Sequence, residues 1–280
     1  MNIAFLGNRS CESHSYMNDF SENIISIAIM ISLVYELEIL TVDIGGNSDI
    51  WENNFNISSC CTKGITQDIF KEDYGYLYFN GLENILESYG YYKDIDYLIK
   101  ENSFIIPDTK LSYISSKDNF YKYLNKGNNR KKLLNILRHL NNSSSLNFIS
   151  INSNLDELNT GLLSECKLVA INISSCHEAM DIMQNMSSEI IKKCVIIINC
   201  TTEEENGEIC KICKKAGIFQ DNLFYIPDNK NYSANILKGC VFRYIQKGIY
   251  LPDNHDNFYL INSIFGVSNA LLQKAGYDIY

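Results

Sequence analysis

An alternation of short apolar runs with longer helical patterns constrains this chain more than any other feature. Residues 3–6 form an apolar run that ends at Gly7, residues 23–35 are dense in apolar side chains, and residues 38–42 form a second apolar run. Strand, helix and strand in this order predict a βαβ unit, which implies a parallel sheet with a right-handed crossover.

The same alternation continues to the end of the chain. Near-continuous apolar runs are typical of strands that are covered on both faces, and strands that alternate with helices favour a doubly wound α/β fold with a mainly parallel sheet and helices on both faces. The predicted strands are 104–106, 146–151, 168–173, 194–199 and 223–226, and the predicted helices are 119–125, 130–141, 177–192, 205–216, 233–247 and 257–275. We expect one domain over 1–280, with an irregular elaborated region at about 44–103.

Charge and composition narrow the function classes. The net charge is −9, which argues against DNA or RNA as the default partner, because a free-standing nucleic-acid binder usually has a basic surface. The start of the chain has no basic leader followed by an apolar stretch and a cleavage site, so we expect a cytoplasmic protein with no integral membrane segment. Its ten cysteines are then expected to be reduced thiols.

Several short motifs stand in one order along the chain. They are IAFLGN at 3–8, ILTVD at 39–43, FIIPDT at 104–109, NFISIN at 147–152, INC at 198–200 and FYIPDN at 224–229. In this order and spacing they resemble the ParA/MinD family of SIMIBI-class P-loop NTPases. The resemblance implies the P-loop NTPase fold, and it implies a degenerate member from a low-GC Gram-positive bacterium.

The resemblance also implies which residues face a nucleotide. Asp43 matches the aspartate that ends the family's second strand, and it is the candidate catalytic residue. Asn152 stands where the family has its Walker B acid. The candidate nucleotide pocket comprises Gly7, Asn8, Arg9, Ser21, Asn152, Asn199 and Pro227.

The departures from the family pattern decide the functional hypothesis. A working phosphate loop needs small residues, a lysine on the phosphates and a Ser or Thr on Mg²⁺. Gly7 is the only glycine before Gly45, and no lysine precedes Lys63. At the Walker B position, the amide of Asn152 cannot supply the negative charge that helps to hold hydrated Mg²⁺.

We therefore expect a degenerate Walker A loop and no hydrolysis, since phosphoryl transfer relies on positioned charge. The first hypothesis is a regulatory or adaptor pseudo-ATPase of a bacterial cytoplasmic machine, of the surface pilus, secretion or partitioning type. Its partners would be a second copy or another protein, including peripheral membrane machinery. The alternative is a divergent ATPase that binds ATP and Mg²⁺, with Arg9 replacing the usual cradle and Asp43 assisting a water.

Four other features admit two interpretations each. Cys210 and Cys213 have zinc-knuckle spacing, but they lie on one face of a predicted helix and fit simple packing. Cys11 and His14 could form a nucleophile pair, although no third group is evident. The basic face at 130–138 suggests either DNA contact or a solvated surface. The apolar segment 257–275 suggests either a MinD-like membrane-targeting tail or a helix packed on the sheet, and it lacks the basic polar face of membrane-surface helices.

Overall fold

The computed structural model describes residues 1–7, 20–45, 51, 54–55, 81–116, 120–153, 155–199 and 202–279. Eight strands in these ranges form one sheet. They are β1 (Asn2–Gly7), β2 (Ile39–Asp43), β3 (Phe104–Ile105), β4 (Leu111–Ile114), β5 (Leu146–Asn152), β6 (Leu168–Ile173), β7 (Cys194–Ile198) and β8 (Leu223–Tyr225). Their order in the sheet is β3-β4-β2-β5-β1-β6-β7-β8.

The helices lie between the strands as the alternation predicted. They are α1 (Phe20–Tyr35), α2 (Gly81–Ser88), α3 (Ile95–Glu101), α4 (Phe120–Leu124), α5 (Asn129–Asn141), α6 (Glu157–Ser164), α7 (Cys176–Asn185), α8 (Ser188–Ile191), α9 (Glu203–Lys215), α10 (Lys230–Leu237), α11 (Val241–Gly248) and α12 (Phe258–Ala275). The sequence did not predict α6, and two single predicted helices, 177–192 and 233–247, are each divided in two.

Every strand pair except one is parallel, which confirms the predicted fold class. The exception corrects the sequence interpretation of 104–106 as a strand of the parallel series. β3 pairs antiparallel with β4, and β4 is the strand that runs parallel to β2. A tight turn reverses the chain: Ile106 N donates to Leu111 O at 2.9 Å, and Asp108 has φ of 58°. The antiparallel pair therefore covers one edge of the sheet.

Apolar side chains fill both faces of the sheet. Alternate residues of β1 point to opposite faces, so Ala4 and Leu6 join one core cluster while Ile3 and Phe5 join the other. The first cluster includes buried residues of α2 to α9, and the second includes residues of α1 and of α10 to α12. Helices therefore cover both faces, as expected for strands that read as continuous apolar runs.

α1 is buried over most of its length. Every residue from Phe20 to Ser32 is buried, because the helix lies between the sheet and the layer formed by α11 and α12. A helix in such a position carries no polar face. α12 packs on α1, β6 and β8, so the segment 257–275 is a packed helix rather than an exposed tail. Within the described ranges, no helix combines the length and the apolar character needed to cross a bilayer.

Lysine side chains cap three helix C-termini. Lys132 Nζ donates to Leu86 O of α2 at 2.7 Å, and Lys167 Nζ donates to Ala275 O of α12 at 2.6 Å. Lys193 Nζ donates to Leu163 O at 2.8 Å, Ser164 O at 3.2 Å and Cys166 O at 2.6 Å, at the end of α6. The last carbonyls of a helix have no partner within the helix, so a cation there satisfies them and complements the helix dipole.

We predict that Lys193→Met lowers the free energy of unfolding by about 1–3 kcal/mol, because three carbonyls lose a charged donor. Chemical denaturation measures the change. Lys192→Met is the matched control, since this neighbouring lysine is exposed, and its substitution is expected to stay within about 0.5 kcal/mol. Equal effects of the two variants would contradict a capping role for Lys193.

Candidate functional site at the carboxyl edge of the sheet

The predicted site residues that the structure describes lie at or beside one edge of the sheet. Gly7 stands opposite Asn152 in the β1–β5 register, and Asp43 stands opposite Ser150 in the β2–β5 register. Asn199 and Pro227 follow the carboxyl ends of β7 and β8. Parallel α/β sheets bind ligands at the carboxyl ends of their strands. Asn8 and Arg9, like Cys11 and His14, lie outside the described residues.

Gly7 is required by packing. A Cβ built at Gly7 would lie 2.6 Å from the Cβ of Phe20 and 2.7 Å from its Cγ. Phe20, the first residue of α1, is only 3% exposed, and its ring belongs to the core cluster that includes Phe5. The carboxyl end of β1 is therefore in contact with an aromatic ring, a neighbour that the sequence interpretation did not identify.

The rest of the first turn of α1 is also buried. Ser21, Glu22 and Asn23 are each 9% exposed or less. Tyr232 of α10 donates its hydroxyl to Glu22 O at 3.0 Å and also contacts Ser26 Oγ. Burial raises the pKa of Tyr232 well above 10, so its hydroxyl stays protonated. The segment after β8, where Pro227 lies, is thereby joined to the start of α1.

Asp43 closes a turn at the end of β2. Its Oδ1 accepts a hydrogen bond from Gly45 N at 3.0 Å, and the residue is 1% exposed. An aspartate that accepts from the backbone two residues further on forms an Asx turn. At least one of the two carboxylate oxygens of the candidate catalytic residue therefore has a structural role.

Asn152 belongs to a hydrogen-bonded group that joins four elements. Its Nδ2 donates to Gly45 O at 3.3 Å, and its backbone N donates to Tyr121 Oη at 3.4 Å. Tyr121 Oη donates to Asn159 Oδ1 at 3.2 Å, and Asn159 Nδ2 donates back to Asn152 O at 3.2 Å. We call Asn152, Tyr121 and Asn159 the Asn152 network. It links the ends of β2 and β5 to α4 and α6 through uncharged groups.

Three buried asparagines lie on the other side of β1. Asn23 Nδ2 of α1 donates to Asn172 Oδ1 of β6 at 2.7 Å and to Asn199 Oδ1 after β7 at 3.1 Å. We call these residues the amide triad. The sequence interpretation included Asn199 and Ser21 in the pocket but missed Asn23 and Asn172. The only available signal was a polar residue inside an otherwise apolar strand or helix.

The remaining sequence candidates take structural positions. Cys213 is fully buried and Cys210 is partly buried against the same core, and burial raises the pKa of Cys213 to about 12. No group of three His, Cys, Asp or Glu residues suited to a metal occurs in the part of the chain that the structure describes. On the basic face at 130–138, Lys132 caps α2, and Arg138 Nε donates to Glu165 Oε1 at 3.0 Å.

Comparison with solved structures identifies the fold. A ParA family ATPase from Chlorobium tepidum TLS aligns with a TM-score of 0.66 and 14% identity, over 96% of this chain and 98% of that chain. The MinC:MinD cell division protein complex of Aquifex aeolicus aligns with a TM-score of 0.64 and 11% identity, over 99% of this chain and 97% of that chain. The septum site-determining protein MinD of Pyrococcus horikoshii OT3, complexed with Mg-ADP, aligns with a TM-score of 0.59 and 9% identity, over 99% and 98%.

These structural similarities establish the fold of the chain. The chain has the α/β fold of the ParA/MinD ATPases, which confirms the fold that the motif order implied. No protein-family model matches the sequence, and no curated protein matches it. At these identities, the relationship is one of fold, and function has to be argued from the site.

We predict that Tyr121→Phe loosens the Asn152 network. The variant removes one donor and one acceptor from a partly buried position, so the free energy of unfolding should fall by about 1–2 kcal/mol. Burial raises the pKa of Tyr121 to about 12, which keeps the hydroxyl protonated at neutral pH. Hydrogen exchange at the ends of β5 and α6 should become faster.

Tyr123→Phe is the matched control. Tyr123 lies two residues away on the same helix, and its hydroxyl donates to Glu87 at the surface at 3.1 Å. Its substitution should leave exchange at β5 and α6 unchanged. The network would lose its proposed role if both variants gave the same exchange pattern.

Proposed function

We propose that this chain is a ParA/MinD-like protein that does not hydrolyse nucleotide and acts as a regulatory or adaptor subunit of a bacterial cytoplasmic machine. Surface-pilus, secretion and partitioning systems are the machines that the motif resemblance suggests. The proposal rests on the chemistry at the carboxyl ends of β1, β2 and β5.

The contact between Phe20 and Gly7 is the observation that carries the proposal. Catalysis of phosphoryl transfer requires a loop of backbone N–H groups, a lysine and a hydroxyl around the phosphates. Here Phe20, the first residue of α1, places an apolar ring on Gly7. Glu22, two residues further along the same turn, is a carboxylate. A negative charge in the first turn of a helix offsets the positive end of the helix dipole, which would otherwise attract a phosphate.

Two further observations support the loss of hydrolysis. The sequence supplies no lysine before Lys63. The Walker B position holds Asn152, whose amide donates to Gly45 O. Mg²⁺ favours carboxylate and water oxygens, and a neutral amide that is already hydrogen-bonded is a poor substitute.

An adaptor role requires a protein partner. One of the similar structures is a complex of MinD with MinC, which gives a precedent for this fold in a protein–protein assembly. By analogy, we propose that the partner is another protein or a second copy of this chain. The acidic net charge of −9 argues against DNA.

Asp43 is the one observation that favours the alternative, a divergent ATPase. It is the only acidic residue that matches the family pattern, and it lies buried at the carboxyl end of β2. In that alternative, Asp43 would orient a water molecule and Arg9 would contact a phosphate.

We predict that isothermal titration with ATP and with ADP, each with and without Mg²⁺, gives no binding heat. We also expect no nucleotide to be released when the purified protein is denatured, and no Mg²⁺-dependent phosphate production. Binding in the micromolar range together with turnover would overturn the proposal. Arg9→Ala and Asp43→Ala would then test the divergent-ATPase alternative by loss of binding and of turnover.

We predict that Asn152→Asp does not create ATPase activity, because the acid alone does not supply the missing lysine and phosphate loop. The same variant should lower the free energy of unfolding by about 1–2 kcal/mol, since a carboxylate would face the Gly45 carbonyl that the amide now donates to. Asn128→Asp, at the exposed start of α5, is the control and should be neutral within about 0.5 kcal/mol. Phosphate release and urea denaturation measure the two effects.

A further inference from the structure

Four buried polar atoms around the first turn of α1 have no hydrogen-bond partner among the described residues. They are Ser21 Oγ, Asn23 Oδ1, Asn172 Nδ2 and Asn199 Nδ2. All four residues are at least nine-tenths buried, with exposures of 1%, 0%, 5% and 8%. Hydrogen bonds bring the three asparagines, from α1, from β6 and from the residue after β7, to one place at the carboxyl edge.

Reorienting the side chains does not remove this deficit. As oriented, Asn23 Nδ2 donates to both neighbouring Oδ1 atoms, which leaves two NH₂ groups and one oxygen of the triad unsatisfied. If all three amides were turned over, Asn23 Oδ1 would accept from both neighbours, and one NH₂ group and two oxygens would be left. In both arrangements, the open atoms include donors and acceptors, so a complementary ligand must also offer both.

Buried polar groups in native proteins are almost always paired, with protein, water or ligand. A purely accepting anion would satisfy only the NH₂ groups, and a purely donating cation would satisfy only the oxygens. The triad and Ser21 carry no charge, and Glu22 in the same turn disfavours an anion. The complementary chemistry is therefore an uncharged edge with an N–H beside a C=O.

We propose that the amide triad binds a small uncharged ligand through a carboxamide or lactam edge. The ligand would accept from the open NH₂ groups and donate to the open oxygen. The inference rests on the proposed function in one respect: binding would matter because the chain is a regulatory subunit. It goes beyond that function because it gives the regulatory subunit a small molecule to sense.

The test uses a matched pair of probes on the full chain. Nicotinamide carries the carboxamide edge, nicotinate has the same ring with an anionic carboxylate in its place, and uracil carries a lactam edge. Nuclear magnetic resonance of the asparagine side-chain NH₂ groups reports contact with the triad directly. We expect nicotinamide or uracil to shift the Asn23, Asn172 and Asn199 signals saturably, and nicotinate to leave them unchanged.

Variants localise the binding. Asn199→Ala removes one open donor and should weaken binding at least about tenfold, the cost of roughly one buried hydrogen bond. Asn185→Ala is the control, because Asn185 is exposed and bonds only within α7 to Asp181. The side-chain signals of the native protein carry the test if Asn199→Ala does not fold.

Three results would overturn the inference. They are no shift with either neutral probe at millimolar concentration, an equal response to nicotinate, and a crystal structure in which ordered water alone satisfies the four atoms and soaked probes do not displace it. Mg-ATP hydrolysis by a protein that also binds nicotinamide would overturn the proposed function and leave the inference standing. Absence of both activities would overturn the inference and leave the proposed function standing.

Discussion

The packing of α1 against the carboxyl end of β1 is the contact on which the rest of the structure depends. β1 lies in the centre of the sheet between β5 and β6, and α1 is buried between the sheet and α12. Gly7 allows the ring of Phe20 to approach the strand, which fixes where the helix begins. Because the first turn of α1 is thereby drawn into the core, Ser21, Glu22 and Asn23 are buried rather than presented to solvent.

Amides join the elements at this edge of the sheet, beside two buried acidic residues, Glu22 and Asp43. A charged group would be costly in a position so removed from water unless it were paired. Uncharged side chains join neighbouring elements instead: the Asn152 network joins β2 and β5 to α4 and α6, and the amide triad joins α1 to β6 and β7. The two groups lie on opposite sides of β1, and they differ in one respect. The Asn152 network hydrogen-bonds through its tyrosine hydroxyl and both of its amides, whereas the amide triad retains atoms with no partner among the described residues.

The sequence was sufficient for the architecture and insufficient for the details that depend on tertiary contacts. Strands such as 168–173 could be located because a strand covered on both faces is almost entirely apolar, and here Asn172 is the one polar residue. The antiparallel β3–β4 pair was missed because Ser112 and Tyr113 interrupt the apolar run, and because the turn depends on Asp108 adopting a positive φ. α6 was missed because Asn159 and Thr160 weaken its helical pattern, although its N-cap, Asp156, accepts from Asn159 N.

The residues of the candidate site also divide into those that the sequence could identify and those that only the tertiary contacts reveal. Gly7, Asp43, Asn152 and Asn199 could be proposed because they lie in the motifs that resemble the ParA/MinD family, and each ends or follows a predicted strand. Asn23, Asn172 and Tyr121 could not, because each lies within an element whose neighbours come from distant parts of the chain. The Asn23–Asn199 bond, for example, spans 176 residues.

The proposed loss of phosphate chemistry is compatible with retention of the fold, because the two depend on different atoms. The fold is held by apolar burial on both faces of the sheet and by the backbone pairing of its strands, neither of which requires a lysine or a Walker B carboxylate. Phosphate chemistry requires those charges and very little of the core. Under the proposed function, Phe20, Asn152 and the amide triad stand where a phosphate site needs charges, and the triad leaves open polar atoms at the same edge. Such a site favours ligands by hydrogen-bond pattern rather than by charge, and this is the property that separates it from a phosphate loop.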